Sequence, residues 1–147
     1  IAYVMPFENR GREIGVTMDH PHGQIYAMSQ LPDRIEKVAA AFRHDDPLSG
    51  LAERLPQQLV LAQNDSGIAF VPPWARYPFE VWIVPHQRVA DLASLDRTAR
   101  ADMAGLLHIA AGKLDKVFGS PMPYTFPGRW RRVVMRMIST FMLSSSR

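Results

Sequence analysis

An α+β fold, an antiparallel sheet with helices packed on one face, is what the sequence predicts, and three observations carry that expectation. Short β-rich runs between residues 58 and 85 are joined by a polar, glycine-containing turn and bounded by prolines. A long stretch ending near Val117 keeps its apolar residues on one helical face. The strands precede that helix instead of alternating with helices, which points to an antiparallel sheet and not a parallel one.

The elements follow in order. Ile1 to Met5 is an apolar, strand-like run, and the chain is expected to begin inside an element. Gly11, Gly15 and the Pro21/Gly23 pair punctuate a loop-rich stretch, after which Gln24 to Ala27 resumes a short strand pattern. From Asp33 to about Arg43, Ile35, Val38, Ala39 and Phe42 recur at three- and four-residue spacing, an amphipathic helix with Asp33 as its expected N-cap. A short helix precedes Pro56. Residues 58–63 and 68–71 form two strands joined by a turn at Asn64 to Gly67, and Pro78 to Pro85 a third, a small meander. Ser94 or Asp96 caps a long helix whose apolar face runs Ala101, Met103, Leu106, Leu107, Ala110, Leu114 and Val117, with Gly119 as the stop.

Composition narrows the function. At 147 residues and 47% hydrophobic, the chain suits one compact domain, and no apolar stretch approaches the roughly 20 residues that cross a bilayer. It contains no cysteine, which excludes disulfides and thiolate metal sites within it. The net charge of +3 gathers in a tail where Arg129, Arg131, Arg132, Arg136 and Arg147 stand without an acid. It is therefore a property of the tail and gives no nucleic-acid-binding face.

The chemistry sits in Phe7-Glu-Asn-Arg-Gly11 and Gly15-Val-Thr-Met-Asp-His-Pro-His-Gly-Gln24. His20 and His22, two apart in an extended segment, direct their imidazoles to one side. An imidazole attacks phosphorus well because much of it is neutral near pH 7, and the phosphoramidate it forms is itself open to attack. Gln24 shares that face and offers an amide donor to a phosphoryl oxygen as charge develops there. Asn9, Thr17 and the glycine-flanked backbone add neutral donors.

The stretch from Phe7 to Ala27 resembles the active-site segment of galactose-1-phosphate uridylyltransferases, of the histidine-triad superfamily, whose pattern is F-E-N-[RK]-G, a few residues, then G-x-[ST]-x-x-H-P-H-G-Q. The resemblance implies a histidine-triad-like sheet and a reaction that moves UMP from UDP-glucose to galactose 1-phosphate. His22 would be the nucleophile and Gln24 would hold the phosphoryl oxygens. Glu8, Asn9, Gly15, Val16 and Thr17 match substrate-binding positions, Thr17 standing where many members have Ser. His20 corresponds to a zinc ligand in members that bind zinc, the other ligands of that site falling upstream of Ile1, and Glu36 lies near an acidic metal ligand of some members. The resemblance further implies a cytoplasmic homodimer without an organic cofactor, its active site shared between subunits. Alternatives are a related adenylyl transferase or dinucleotide phosphorylase, or an inactive remnant that at most binds a nucleotide weakly. Trp74, Arg76 and Phe79 are expected to pack and anchor loops, and His44, His86 and His108 to lie at the surface.

Three segments follow from this resemblance. Residues 1–30 correspond to the end of a first histidine-triad-like repeat and residues 31–126 to an incomplete second one. Residues 127–147 form a tail unlike the family, which would run there into a strand bearing H-x-H-x-[EQ]. Codons for Ile138 to Arg147 exist whose reading from the third base gives Leu-His-Val-His-Val-Glu-Phe-Phe-Pro, and the single codon of Met142 forces an NAT triplet in that frame, His being one of its few meanings. The expectation is that a frameshift replaced the native end of the chain and its last strand.

Overall fold

The structure is a computed structural model that describes residues 1–12, 20, 22–44, 46–127 and 135–139. Seven strands form one antiparallel sheet: β1 (Tyr3–Arg10), β2 (His22–Met28), β3 (Val60–Gln63), β4 (Gly67–Phe70), β5 (Val81–Pro85), β6 (Tyr124–Pro127) and β7 (Met135–Ser139), in the spatial order β2-β1-β6-β7-β5-β4-β3. The helices are α1 (Asp33–His44), α2 (Leu51–Arg54) and α3 (Arg97–Phe118). The meander expected from the sequence is the β3-β4-β5 end of this sheet. β1 and β2 form a hairpin pair at the opposite edge.

Local chemistry explains the hairpin between β3 and β4. The Asn64 side-chain oxygen accepts from the backbone N–H groups of Ser66 and Gly67 at 3.1 and 3.0 Å, closing the turn. Gly67 allows close packing there: a Cβ on it would stand 2.7 Å from both Met103 Sδ and the Val84 carbonyl oxygen. Helix α3 starts where the Asp96 carboxylate accepts from Ala99 N–H at 2.7 Å and stops at Gly119, whose φ of 65° is left-handed. It presses Met103, Leu106, Ala110 and Leu114 onto Ala69, Val81, Ile83 and Tyr124, the principal core.

Several expectations need correction. Asp33 is the first residue of α1 and not its cap; the Pro32 carbonyl accepts from Ile35 and Glu36 N–H instead. Residues 57–59 are a single 3-10 turn, so β3 begins only at Val60. β5 begins at Val81 because Phe79 takes a φ of 56° and breaks the extended run after Pro78. On α3, Ala101 and Val117 turn to solvent, Val117 at 66% exposure. Helices also cover both faces. Ile68, Phe70 and Val84 point away from α3, and Leu51 of the short α2 buries them on the other side. Finally, a strand does form within residues 127–147, where β7 lies between β6 and β5.

Candidate functional site

β1 and β2 build the site because their register sets Asn9 opposite His22 and Phe7 opposite Gln24. Alternation along paired strands puts Phe7, Asn9, His22, Gln24 and Tyr26 on one sheet face. The Asn9 side-chain oxygen is buried there without a hydrogen-bond partner among the described residues. β6 flanks β1 on its other side and sets Thr125 opposite Asn9, adding a hydroxyl to the same face. Spacing within the motif carries no sign of Thr125, which reaches the site only through long-range strand pairing.

His22 opens β2, and its Nδ1 stands 3.3 Å from the His20 carbonyl oxygen. A carbonyl only accepts, so Nδ1 carries the proton in this contact and Nε2 keeps its lone pair. The His20 ring lies 6.4 Å from that of His22, centroid to centroid and nearly perpendicular. The two rings thus stand near one another, with His20 ahead of the strand that begins at His22. Gly15, Val16 and Thr17 lie outside the described residues.

Glu8 belongs elsewhere. Paired with Gly23, it faces the opposite side of the sheet from Asn9 and His22, where its carboxylate accepts from the Tyr124 hydroxyl at 2.5 Å. Burial, then this hydrogen bond, raises the Tyr124 pKa above its usual value. Arg10 joins the same side: it donates to the Met122 carbonyl at 2.9 and 3.1 Å, pairs with Asp115 and lies over the Tyr124 ring at 4.7 Å. This network ties β1 to β6 and to the end of α3, with Glu8, matched to a substrate-binding position by resemblance, on the sheet face away from Asn9 and His22. A cavity of about 430 Å³ adjoins it, walled in part by Pro6, Glu8, Ile25, Leu92 and Phe126.

Glu36 is exposed in the first turn of α1, and among the described residues no three His, Cys, Asp or Glu side chains gather as a metal site would require. His20 and Glu36 stay candidate ligands by resemblance alone, since a structural zinc takes four ligands and the others expected for His20 fall upstream of Ile1. Trp74 and Phe79 pack as expected. Trp74 packs edge-on to Phe70 and Trp82, Phe79 against Phe118, and the Arg76 N–H donates to Glu80 at 2.9 Å. His86 lies exposed with Nε2 3.1 Å from the Asn64 carbonyl oxygen, His108 is exposed on α3, and the side chain of His44 lies outside the description. Among the described residues no helix is long and apolar enough to cross a membrane.

Known proteins resemble the chain in sequence and in fold. Residues 1–32 match the family profile described as galactose-1-phosphate uridyl transferase, N-terminal domain. The galactose-1-phosphate uridylyltransferase of Thermotoga maritima is 35% identical over 84% of this chain and 41% of its own length; that of Streptomyces lividans is 36% identical over 84% and 38%. The chain thus spans about two fifths of these relatives. A solved uridylyltransferase superposes with a TM-score of 0.78 at 32% identity, covering 94% of this chain and 48% of the other. An ADP-glucose phosphorylase from Arabidopsis thaliana shares the fold, with a TM-score of 0.80 at 21% identity over 95% of this chain and 50% of its own.

Proposed function

The chain belongs to the galactose-1-phosphate uridylyltransferase family, and from that premise we propose that its β1–β2 face transfers UMP from UDP-glucose to galactose 1-phosphate through a uridylyl-histidine. In the first step His22 Nε2 bonds to the α-phosphorus while the bond to the departing glucose 1-phosphate breaks. In the second, a phosphate oxygen of galactose 1-phosphate bonds to that phosphorus and the P–N bond breaks, returning free His22 and UDP-galactose. Both are in-line displacements at one phosphorus, so the site's task is to orient the nucleophile and offset charge on the equatorial oxygens.

The observation that carries this reading is the contact of His22 Nδ1 with the His20 carbonyl, because it commits the proton to Nδ1 and leaves Nε2 as the nucleophile. Gln24, two residues along the same face, is the amide donor for the phosphoryl oxygens; Gly15, Val16 and Thr17 are assigned to the nucleotide phosphates by motif alone. A buried acceptor without a partner costs about 1–3 kcal/mol, and a hydroxyl of the bound nucleotide would relieve that cost at Asn9. The same reading places the enzyme in the cytoplasm and pairs it as a homodimer. No step is assigned to zinc.

Intact-protein mass spectrometry after incubation with UDP-glucose tests the proposal. The expected result is a uridylyl adduct on the wild type, absent in His22→Ala and slower to form by about a hundredfold in Gln24→Ala, as removal of one transition-state donor costs. An adduct that persists in His22→Ala would overturn the assignment of the nucleophile. A stronger adduct from ADP-glucose would make the chain an adenylyl-transferring relative, and a folded wild type without any adduct would make it a chain that does not act alone.

A further inference from the structure

β1 ends at Arg10, and Gly11 leaves the strand at a φ of 109°. β2 begins at His22, so the Asn9–His22 pair is the last described pair of the hairpin. Strand ends of this kind fray unless something fastens them. The site suffers most from such fraying, because its nucleophile and its buried Asn9 oxygen sit on the two facing strands, and a misplacement of about 1 Å can cost about a hundredfold in rate.

The fastening comes from behind the sheet. Arg10 lies on the face away from Asn9 and His22, where its Nε and Nη2 donate to the Met122 carbonyl at 3.1 and 2.9 Å and Nη2 pairs with Asp115. Asp115, near the end of α3, also accepts from the Met122 N–H at 2.8 Å. Helix, the approach to β6 and the end of β1 therefore meet at one guanidinium. Two residues back on the same face, Glu8 accepts from the Tyr124 hydroxyl at 2.5 Å, so the two ties to β6 and its approach straddle Asn9. The Arg10 side chain is only 20% exposed, which limits the water that could replace these partners. We infer that Arg10 is a positioning residue for the His22 reaction: it holds the end of β1 so that Asn9 and Thr125 stand at a fixed spacing from His22. The inference rests on the uridylyl-transfer reading for what that spacing serves. Residue type follows from the geometry, since a planar fork reaches the Met122 carbonyl and Asp115 together while lying over the Tyr124 ring at 4.7 Å, and a lysine ammonium is a single point of charge.

The rate of uridylyl-adduct formation, followed by intact-protein mass spectrometry against UDP-glucose concentration, tests this on variants shown by circular dichroism to be folded. Arg10→Met keeps the stem and removes the guanidinium. Its saturating rate should fall about ten- to hundredfold while the half-saturating concentration changes less than about threefold, and Arg10→Lys should recover part of the rate. Asp96→Ala, which weakens α3 at its other end, controls for lost stability and should keep the wild-type rate. If Arg10→Met does not fold, Arg10→Lys carries the same comparison. A saturating rate at the wild-type value overturns the inference, as does a fall matched by Asp96→Ala or a loss confined to the half-saturating concentration. Amide hydrogen exchange reads the hold without turnover: Arg10→Met should speed exchange at residues 8–10 and 22–24 about tenfold or more, with β4 and β5 as in the wild type. Unaltered exchange at those residues overturns the inference whatever the adduct does. A wild type that forms no adduct overturns uridylyl transfer instead, and the exchange still decides whether Arg10 holds the end of β1.

Discussion

Glu80 is 2% exposed, yet its carboxylate is well occupied: Oε1 accepts from Trp82 Nε1 at 2.7 Å and Oε2 from the Arg76 and Tyr77 N–H groups at 2.9 and 3.4 Å. One side chain thereby fixes the loop before β5 and the tryptophan beside it. Glu80→Ala leaves these donors without an acceptor in a dry site, and a loss of about 2–4 kcal/mol is expected from urea unfolding midpoints; a change under about 0.5 kcal/mol, the size of an ordinary surface substitution, would show that the loop holds itself. The same lesson about neighbours decides how far the site was legible. His22 and Gln24 were readable as neighbours on one face because their two-residue spacing is the strand period, whereas His20 precedes the strand. The motif puts Glu8 beside Asn9 in sequence, yet adjacent strand residues point to opposite faces, so the two cannot share one face of the sheet. Thr125 left no local trace, since only the β1–β6 pairing brings it beside Asn9.

Among the elements, α3 was legible nearly to the residue because its signals are local: the apolar periodicity lies within it, and the Asp96 cap and Gly119 flank it directly. Asp96→Ala should cost about 1 kcal/mol, read from thermal or urea unfolding. Gly67→Ala should cost more, about 2 kcal/mol or above, because its Cβ would meet the immobile Val84 carbonyl as well as Met103. The pairing of β6 with β1 was not legible, since it joins segments far apart in sequence, yet it makes a pH-dependent tie. Burial and the Glu8 hydrogen bond raise the Tyr124 pKa in the folded state, so the unfolded chain loses this proton first. The stability this supplies is fully present below about pH 10, the ordinary tyrosine value, and falls as pH rises beyond it. Urea midpoints measured on either side of pH 10 should therefore drop in the wild type and drop less in Tyr124→Phe. Equal drops would place the alkaline sensitivity elsewhere.

For the molecule as a whole, the strand order decides where it is vulnerable. The core lies under β4, β5 and β6, where α3 covers one face and α2 part of the other. β2 sits at the far edge, and among the described residues nothing pairs with its outer side. Ile25 is 71% exposed there, and His22, Gln24 and Tyr26 share the strand, so the reactive face lies on the least protected element. An edge with free N–H and C=O groups and an exposed aliphatic side chain is a template for another strand. The chain should associate as its concentration rises, seen in sedimentation velocity as a growing weight-average coefficient, and Ile25→Lys should suppress this by setting a charge on the edge. Ile25 points away from the His22 face, so the same variant should leave His22 uridylylation at the wild-type rate wherever that adduct forms. A chain that stays monomeric at every concentration would show instead that the edge is already protected; association unaltered by Ile25→Lys would locate the contact on another surface, with the exposed aromatic loop of Trp74, Tyr77 and Phe79 the next to test.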